Sequence, residues 1–183
     1  KEYGIKNYTI NSDGSIDVDG GVYINSLIRH HHRSRYNTIT KLPLRFRNVT
    51  GDFNCCFNKL TTLEGCPQSV GGDFHCGGNQ LNTLEGSPES VGGNFYCEYN
   101  HLKSLEGISE SIGGVIYCRH NFQMIDFKGV SEYYEGNFYC DGNPIEEIYL
   151  LFKTSKCIKW INEYDVIRGN KVVMDRLEEV FHQ

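Results

Sequence analysis

A repeat solenoid, in which short parallel strands stack coil upon coil, is the fold class that this chain of 183 residues predicts, and three observations carry it. Cys55, Cys76, Cys97 and Cys118 recur every 21 residues, and Cys140 follows after 22. Residues 51–71, 72–92 and 93–113 align without gaps as GDFNCCFNKLTTLEGCPQSVG, GDFHCGGNQLNTLEGSPESVG and GNFYCEYNHLKSLEGISESIG. Self-similarity at a fixed period of about 20–50 residues marks a repeat architecture. Finally, 20 glycines against 4 prolines exceed the ordinary glycine usage of about 7 % and imply a backbone that turns often.

Within the unit, F-x-C alternates, so Phe53, Phe74, Phe95, Ile116 and Phe138 share one side of a short strand with the cysteines two residues on. That side is the expected core, and the same alternation puts Cys56 on the exposed face. Asn58, Asn79, Asn100, Asn121 and Asn143 follow where the chain leaves the strand. A buried amide there can donate to and accept from neighbouring coils, forming a ladder. Leu60, Leu81 and Leu102, then Leu63, Leu84 and Leu105, refill the core. In the fourth unit, residues 114–135, one extra residue shifts these roles to Met124 and Phe127. Gly65, Gly86, Gly107 and Gly129, and the pairs at 71–72, 92–93 and 113–114, allow tight corners.

The unit F-x-C-x-x-N-x-L-x-x-L resembles the leucine-rich-repeat core L-x-L-x-x-N-x-L, with Phe and Cys in the first two apolar positions. The segment that follows, L-x-x-L-E-G-C/S-P-x-S-V-G, is similar to the short, roughly 20–22-residue repeats of bacterial effector proteins and to the Gly- and Cys-rich variant in phage-encoded relatives. The resemblance implies a leucine-rich-repeat-like solenoid of about five units over residues 37–145, with short strands on the concave face and a mostly extended convex side.

The ends depart from the repeat. Residues 1–36 are expected to hold N-terminal cap strands plus a basic insertion. Ser15 to Ile24 alternates as an opening strand pair. Gly21 lies 16 residues before Asn37 whereas Gly51 lies 7 before Asn58, so about 9 residues are inserted. The insertion contains Arg29, His30, His31, His32, Arg33 and Arg35, and insertions in repeat proteins emerge as loops, often on the binding face. Residues 146–183 are expected to form a helical cap. Ile145, Ile148, Leu151 and Phe152 are spaced along one helical face, a turn is expected at Gly169-Asn170, and Met174 to Phe181 reads as an amphipathic helix.

Charge narrows the partners. Net charge is −5, but residues 1–50 carry 8 Lys/Arg against 4 Asp/Glu and residues 51–143 carry 4 against 12. An acidic solenoid repels phosphate backbones, so no nucleic acid is expected there, while the basic front could draw an acidic partner. No run of about 20 apolar residues offers a membrane span. The chain starts at Lys1 without an apolar leader, and columns of reduced thiols suit the cytoplasm of a bacterial or infected host cell.

No cofactor and no metal are expected. One sulfur per coil, at a strand spacing of about 4.7–4.9 Å, cannot converge on a single zinc, and adjacent histidines on a strand point to opposite sides. Phosphate-loop, nucleophile-elbow and H-E-x-x-H patterns are missing, so no residue is assigned a catalytic role and the chain reads as a non-enzyme.

Function then falls to the outward positions, which the repeat does not dictate. They form three rows: Asn54, His75, Tyr96, Tyr117, Tyr139; Cys56, Gly77, Glu98, Arg119, Asp141; and Phe57, Gly78, Tyr99, His120, Gly142. His75, Tyr96, Tyr117, Tyr139, Phe57, Tyr99, Arg119 and His120 are the expected partner-binding residues, because Tyr and Arg dominate interface hot spots. A self-stacking ladder that only stabilises neighbouring strands is the structural alternative. The reading is a non-enzymatic protein–protein interaction module, a phage or bacterial accessory protein that binds and modulates a host protein. The alternatives are a structural subunit of a larger assembly such as a virion, and an enzyme or metal site on the His/Arg insertion.

Overall fold

The computed structural model describes residues 5–24, 39–130, 134 and 136–144, and four residues of two short strands at 167–168 and 171–172. In chain order the strands are β1 Tyr8–Ile10, β2 Ile16–Val18, β3 Val22–Tyr23, β4 Phe46–Val49, β5 Phe53–Asn54, β6 Ser69–Val70 and β7 Phe74–His75. They continue with β8 Ser90–Val91, β9 Phe95–Tyr96, β10 Ser111–Ile112, β11 Ile116–Tyr117, β12 Phe138–Tyr139, β13 Ile167–Arg168 and β14 Lys171–Val172.

The chain is a parallel β-solenoid. One sheet runs β3-β5-β7-β9-β11-β12 and a second runs β1-β2-β4-β6-β8-β10, so each of the units 51–71, 72–92 and 93–113 gives one strand to each sheet. Phe53 stands opposite Phe74, Phe74 opposite Phe95, and Phe95 opposite Ile116, so identical positions stack at the strand spacing. The 21-residue period is the length of one coil. The side expected to be merely extended is itself hydrogen-bonded, with Ser69 opposite Ser90 and Ser90 opposite Ser111.

Between the sheets lies a column of phenylalanines, with ring centroids 5.9 Å apart for Phe53–Phe74 and 5.1 Å for Phe74–Phe95. Full burial of each ring contributes about 1.5–3 kcal/mol. The leucines at 60, 63, 81, 84, 102 and 105 are fully buried, and Met124 and Phe127 take over their roles in the fourth unit as expected. Cys55, Cys76, Cys97 and Cys118 fill the same core as free thiols, and Cys140 is buried in it with them. The first two donate Sγ–H to carbonyls of the next coil, at 3.3 Å to His75 and 3.4 Å to Tyr96.

The asparagine ladder is present. Asn79 Nδ2 donates to the carbonyls of Cys55 and Cys76 at 3.1 and 2.9 Å, while its Oδ1 accepts from the Leu60 amide at 3.0 Å. Asn100 and Asn121 repeat the pattern one and two coils on. The glycine pairs serve close approach between coils: a Cβ on Gly92 would sit 2.3 Å from the Gly71 carbonyl oxygen. Gly65, at φ +93, does need glycine's conformational freedom.

Four expectations change. Cys56 is buried, 7 % exposed, rather than outward. Its strand ends at Asn54, whose Oδ1 accepts the Cys56 amide at 3.1 Å, so strand alternation no longer applies. Ser15 to Ile24 is not a strand pair, because β2 and β3 belong to different sheets. The antiparallel partner of β2 is β1, which has no counterpart in the repeat. The inserted residues number ten rather than about nine, since Val22 to Phe53 is an offset of 31 against 21 from Phe53 to Phe74. Gly20, not Gly21, stands opposite Gly51, whose amide donates to its carbonyl at 3.0 Å. The expected C-terminal helices lie outside the described residues, and the elements described within 146–183 are strands, β13 pairing antiparallel with β14 around the expected turn at 169–170.

Candidate functional site

The three outward rows lie beside the sheet that holds β5, β7, β9, β11 and β12, because in-register coils repeat each position at the strand spacing. In the first row the rings stack face to face. His75–Tyr96, Tyr96–Tyr117 and Tyr117–Tyr139 have centroids 4.3, 4.5 and 5.0 Å apart and lie within 10° of parallel. Both faces of Tyr96 and of Tyr117 are spent on their neighbours, which leaves the edges of these two rings to meet a partner. Burial holds the His75 imidazole below its ordinary pKa, against the opposing pull of Asp73 and Asp52. Burial likewise raises the Tyr96 phenol, with Asp73 adding to it.

The last row has an unusual backbone. Phe57, Gly78, Tyr99, His120 and Gly142 have φ of +54, +67, +55, +53 and +73, so each coil turns through the left-handed region here. For a bulky side chain that conformation costs roughly 1–2 kcal/mol, and glycine avoids the cost. Phe57 and Tyr99 are nonetheless 53 % and 54 % exposed. Tyr99 stacks on His120 at 4.5 Å, and His120 meets Phe122 at 5.9 Å.

Between these rows runs the charged one. Arg119 Nε lies 2.5 Å from Asp141 Oδ1, and its guanidinium carbon is 5.0 Å from the centre of the Tyr139 ring. Glu98 turns the other way and lies over Gly77, where an added Cβ would come within 3.2 Å of its Cδ. Glu98 Oε2 is buried without a hydrogen-bond partner. Burial raises the Glu98 carboxyl above its ordinary pKa, outweighing its own amide and Arg119. Burial also pushes the Cys56 thiol up to about 12, with Cys55 and Glu98 adding to the shift.

All eight expected partner-binding residues of the solenoid therefore fall in three adjacent rows. The insertion residues Arg29, His30, His31, His32, Arg33 and Arg35 lie outside the described residues. Sequence reasoning missed Phe122, 69 % exposed, which stands where the other repeats carry Lys59, Gln80 and His101. An aromatic at a position otherwise polar was the available signal. Among the described residues no group of three His, Cys, Asp or Glu side chains is placed to hold a metal ion, and no helix is long and apolar enough to cross a membrane.

Comparison with family models, with curated proteins and with solved structures returns no match.

Proposed function

We propose that the chain is a non-enzymatic protein-binding module that engages a partner polypeptide, a host protein in the phage or bacterial reading, through its aromatic rows. One observation carries this. Phe57, Tyr99 and His120 occupy left-handed positions that Gly78 and Gly142 fill without strain, and two of the three rings stand more than half exposed. The coil closes with glycine at this position, so the rings are not what closes it. Backbone strain retained to display side chains at the surface is characteristic of functional sites. The self-stacked tyrosine row supplies a rigid aromatic edge beside it, of the composition that favours interface hot spots.

The coil in this reading is of the short leucine-rich-repeat kind, and the asparagine ladder and Phe/Leu core support that description. A cytoplasmic location is part of the same proposal, supported by buried, unpaired thiols in successive coils. The test is affinity capture from the native host with the full chain as bait. A stoichiometric partner is expected, whereas self-assembly alone would favour a structural subunit.

A further inference from the structure

Along the middle row, the Glu98 carboxylate makes no direct ion pair among the described residues. Arg119, the neighbour of Glu98 by one coil, turns away to Asp141 and lies over the Tyr139 ring. Glu98 is left with a buried oxygen that accepts nothing, in a segment where residues 51–143 carry 12 acidic side chains against 4 basic ones. Leaving such an oxygen unpaired is costly, and a charged donor is its strongest complement.

The surroundings suit one kind of donor. Gly77 and Gly78 leave a single coil without side chains at two successive positions, and Glu98 lies over the first while the Phe57 ring lies over the second. Tyr99 stands on the far side of that coil, two strand spacings or about 9–10 Å from Phe57 along the row. One face of Tyr99 is covered by His120. The protein brings the same three groups together elsewhere: the Arg119 guanidinium lies 2.5 Å from the Asp141 carboxylate, outside hydrogen-bond geometry, and over the Tyr139 ring.

We propose that the surface over Gly77 and Gly78 receives an arginine side chain of the partner polypeptide once Glu98 has turned out of the space it fills over Gly77, the guanidinium pairing with Glu98 and stacking against Phe57 and Tyr99. This rests on the protein-binding reading of the same rows and names the chemistry they select. Arginine is chosen over lysine because its planar fork addresses a carboxylate while its face lies on a ring. Glu98 Oε2 is covered in the free protein, so docking turns the Glu98 side chain outward, a rotamer change of the kind interfaces commonly show. Gly77 offers no side chain to oppose that turn.

The experiment titrates N-acetyl-arginine amide into the 13C,15N-labelled full chain at low ionic strength, with N-acetyl-citrulline amide as the uncharged isostere. Saturable shifts are expected at the amides of Gly77, Gly78, Glu98 and Tyr99. Affinity is expected to fall about tenfold or more for citrulline and for Glu98→Gln. In the unaltered protein, the Glu98 side-chain carboxyl carbon should titrate at lower pH when the arginine probe is present. Equal affinity in Glu98→Gln, shifts spread evenly over the exposed Glu64, Glu85 and Glu106, or an unmoved Glu98 titration would overturn the proposal. The titration uses no partner, so its failure leaves the binding-module reading standing, while failure of the capture experiment removes that reading whatever the probe does.

Discussion

Tyr99→Gly separates a ring displayed for binding from a ring needed by the fold. At φ +55 the substitution relieves a left-handed penalty of roughly 1–2 kcal/mol. Against this, glycine adds backbone entropy to the unfolded chain worth about 0.5–1 kcal/mol. Loss of the 4.5 Å stack on His120 costs about 0.5–1.5 kcal/mol. With the ring half exposed already, its remaining burial contributes about 1 kcal/mol. The opposing effects nearly cancel, leaving a net loss of about 1 kcal/mol, or roughly 2–4 °C in Tm for a chain of this size. Phe95→Ala, which empties a fully buried site in the phenylalanine column, should instead cost about 3–5 kcal/mol. Urea unfolding of the three proteins side by side measures both. If Tyr99→Gly is as damaging as Phe95→Ala, the ring is structural and the argument from strain fails.

Other outcomes follow from the same geometry. Asn79→Ala strips the Leu60 amide of its acceptor and one donor each from the Cys55 and Cys76 carbonyls, a loss of about 3 kcal/mol by denaturant unfolding. A loss below about 1 kcal/mol would mean that the ladder is not a main support. His75 is held below its ordinary pKa by burial, so the unfolded chain binds the proton more readily. Its contribution is present above about pH 6.5 and disappears as pH falls through the lower folded value, so Tm should fall more steeply there than in His75→Phe. Parallel Tm profiles for the two proteins would contradict this. Alkylation of the native protein should spare Cys56 along with Cys55, Cys76, Cys97 and Cys118, since burial raises the Cys56 thiol to about 12. Labelling of Cys56 ahead of the others in a mass-spectrometric time course would restore it to the surface.

What the sequence displays is whatever repeats. Phe53, Phe74 and Phe95 announce the stacking because each coil must bury the same position against its neighbour, and the asparagines announce the turn because they satisfy the same carbonyls each time. Features that break from the repeat, or are too short for a pattern, were hidden. Ser69–Val70 is only two residues long, so no alternation marks it as a strand. Tyr8–Ile10 has no copy elsewhere in the chain. Cys56 misled because alternation holds within a strand, and this one ends two residues earlier. The left-handed row left a trace in Gly78 and Gly142, yet glycine's presence at two positions does not reveal that Phe57, Tyr99 and His120 share their backbone. The orphaned Glu98 oxygen depends on which way Arg119 turns, which spacing does not encode.

The most direct test of the binding-module account is quantitative affinity capture from the native host with two baits, the full chain and its Phe57→Gly/Tyr99→Gly variant. Both baits should be folded, since each change places glycine where the backbone already adopts a glycine conformation. The account predicts a stoichiometric partner on the first bait, reduced about tenfold or more on the second, as expected when hot-spot rings are removed. Recovery of the same proteins in the same amounts on both baits would contradict it.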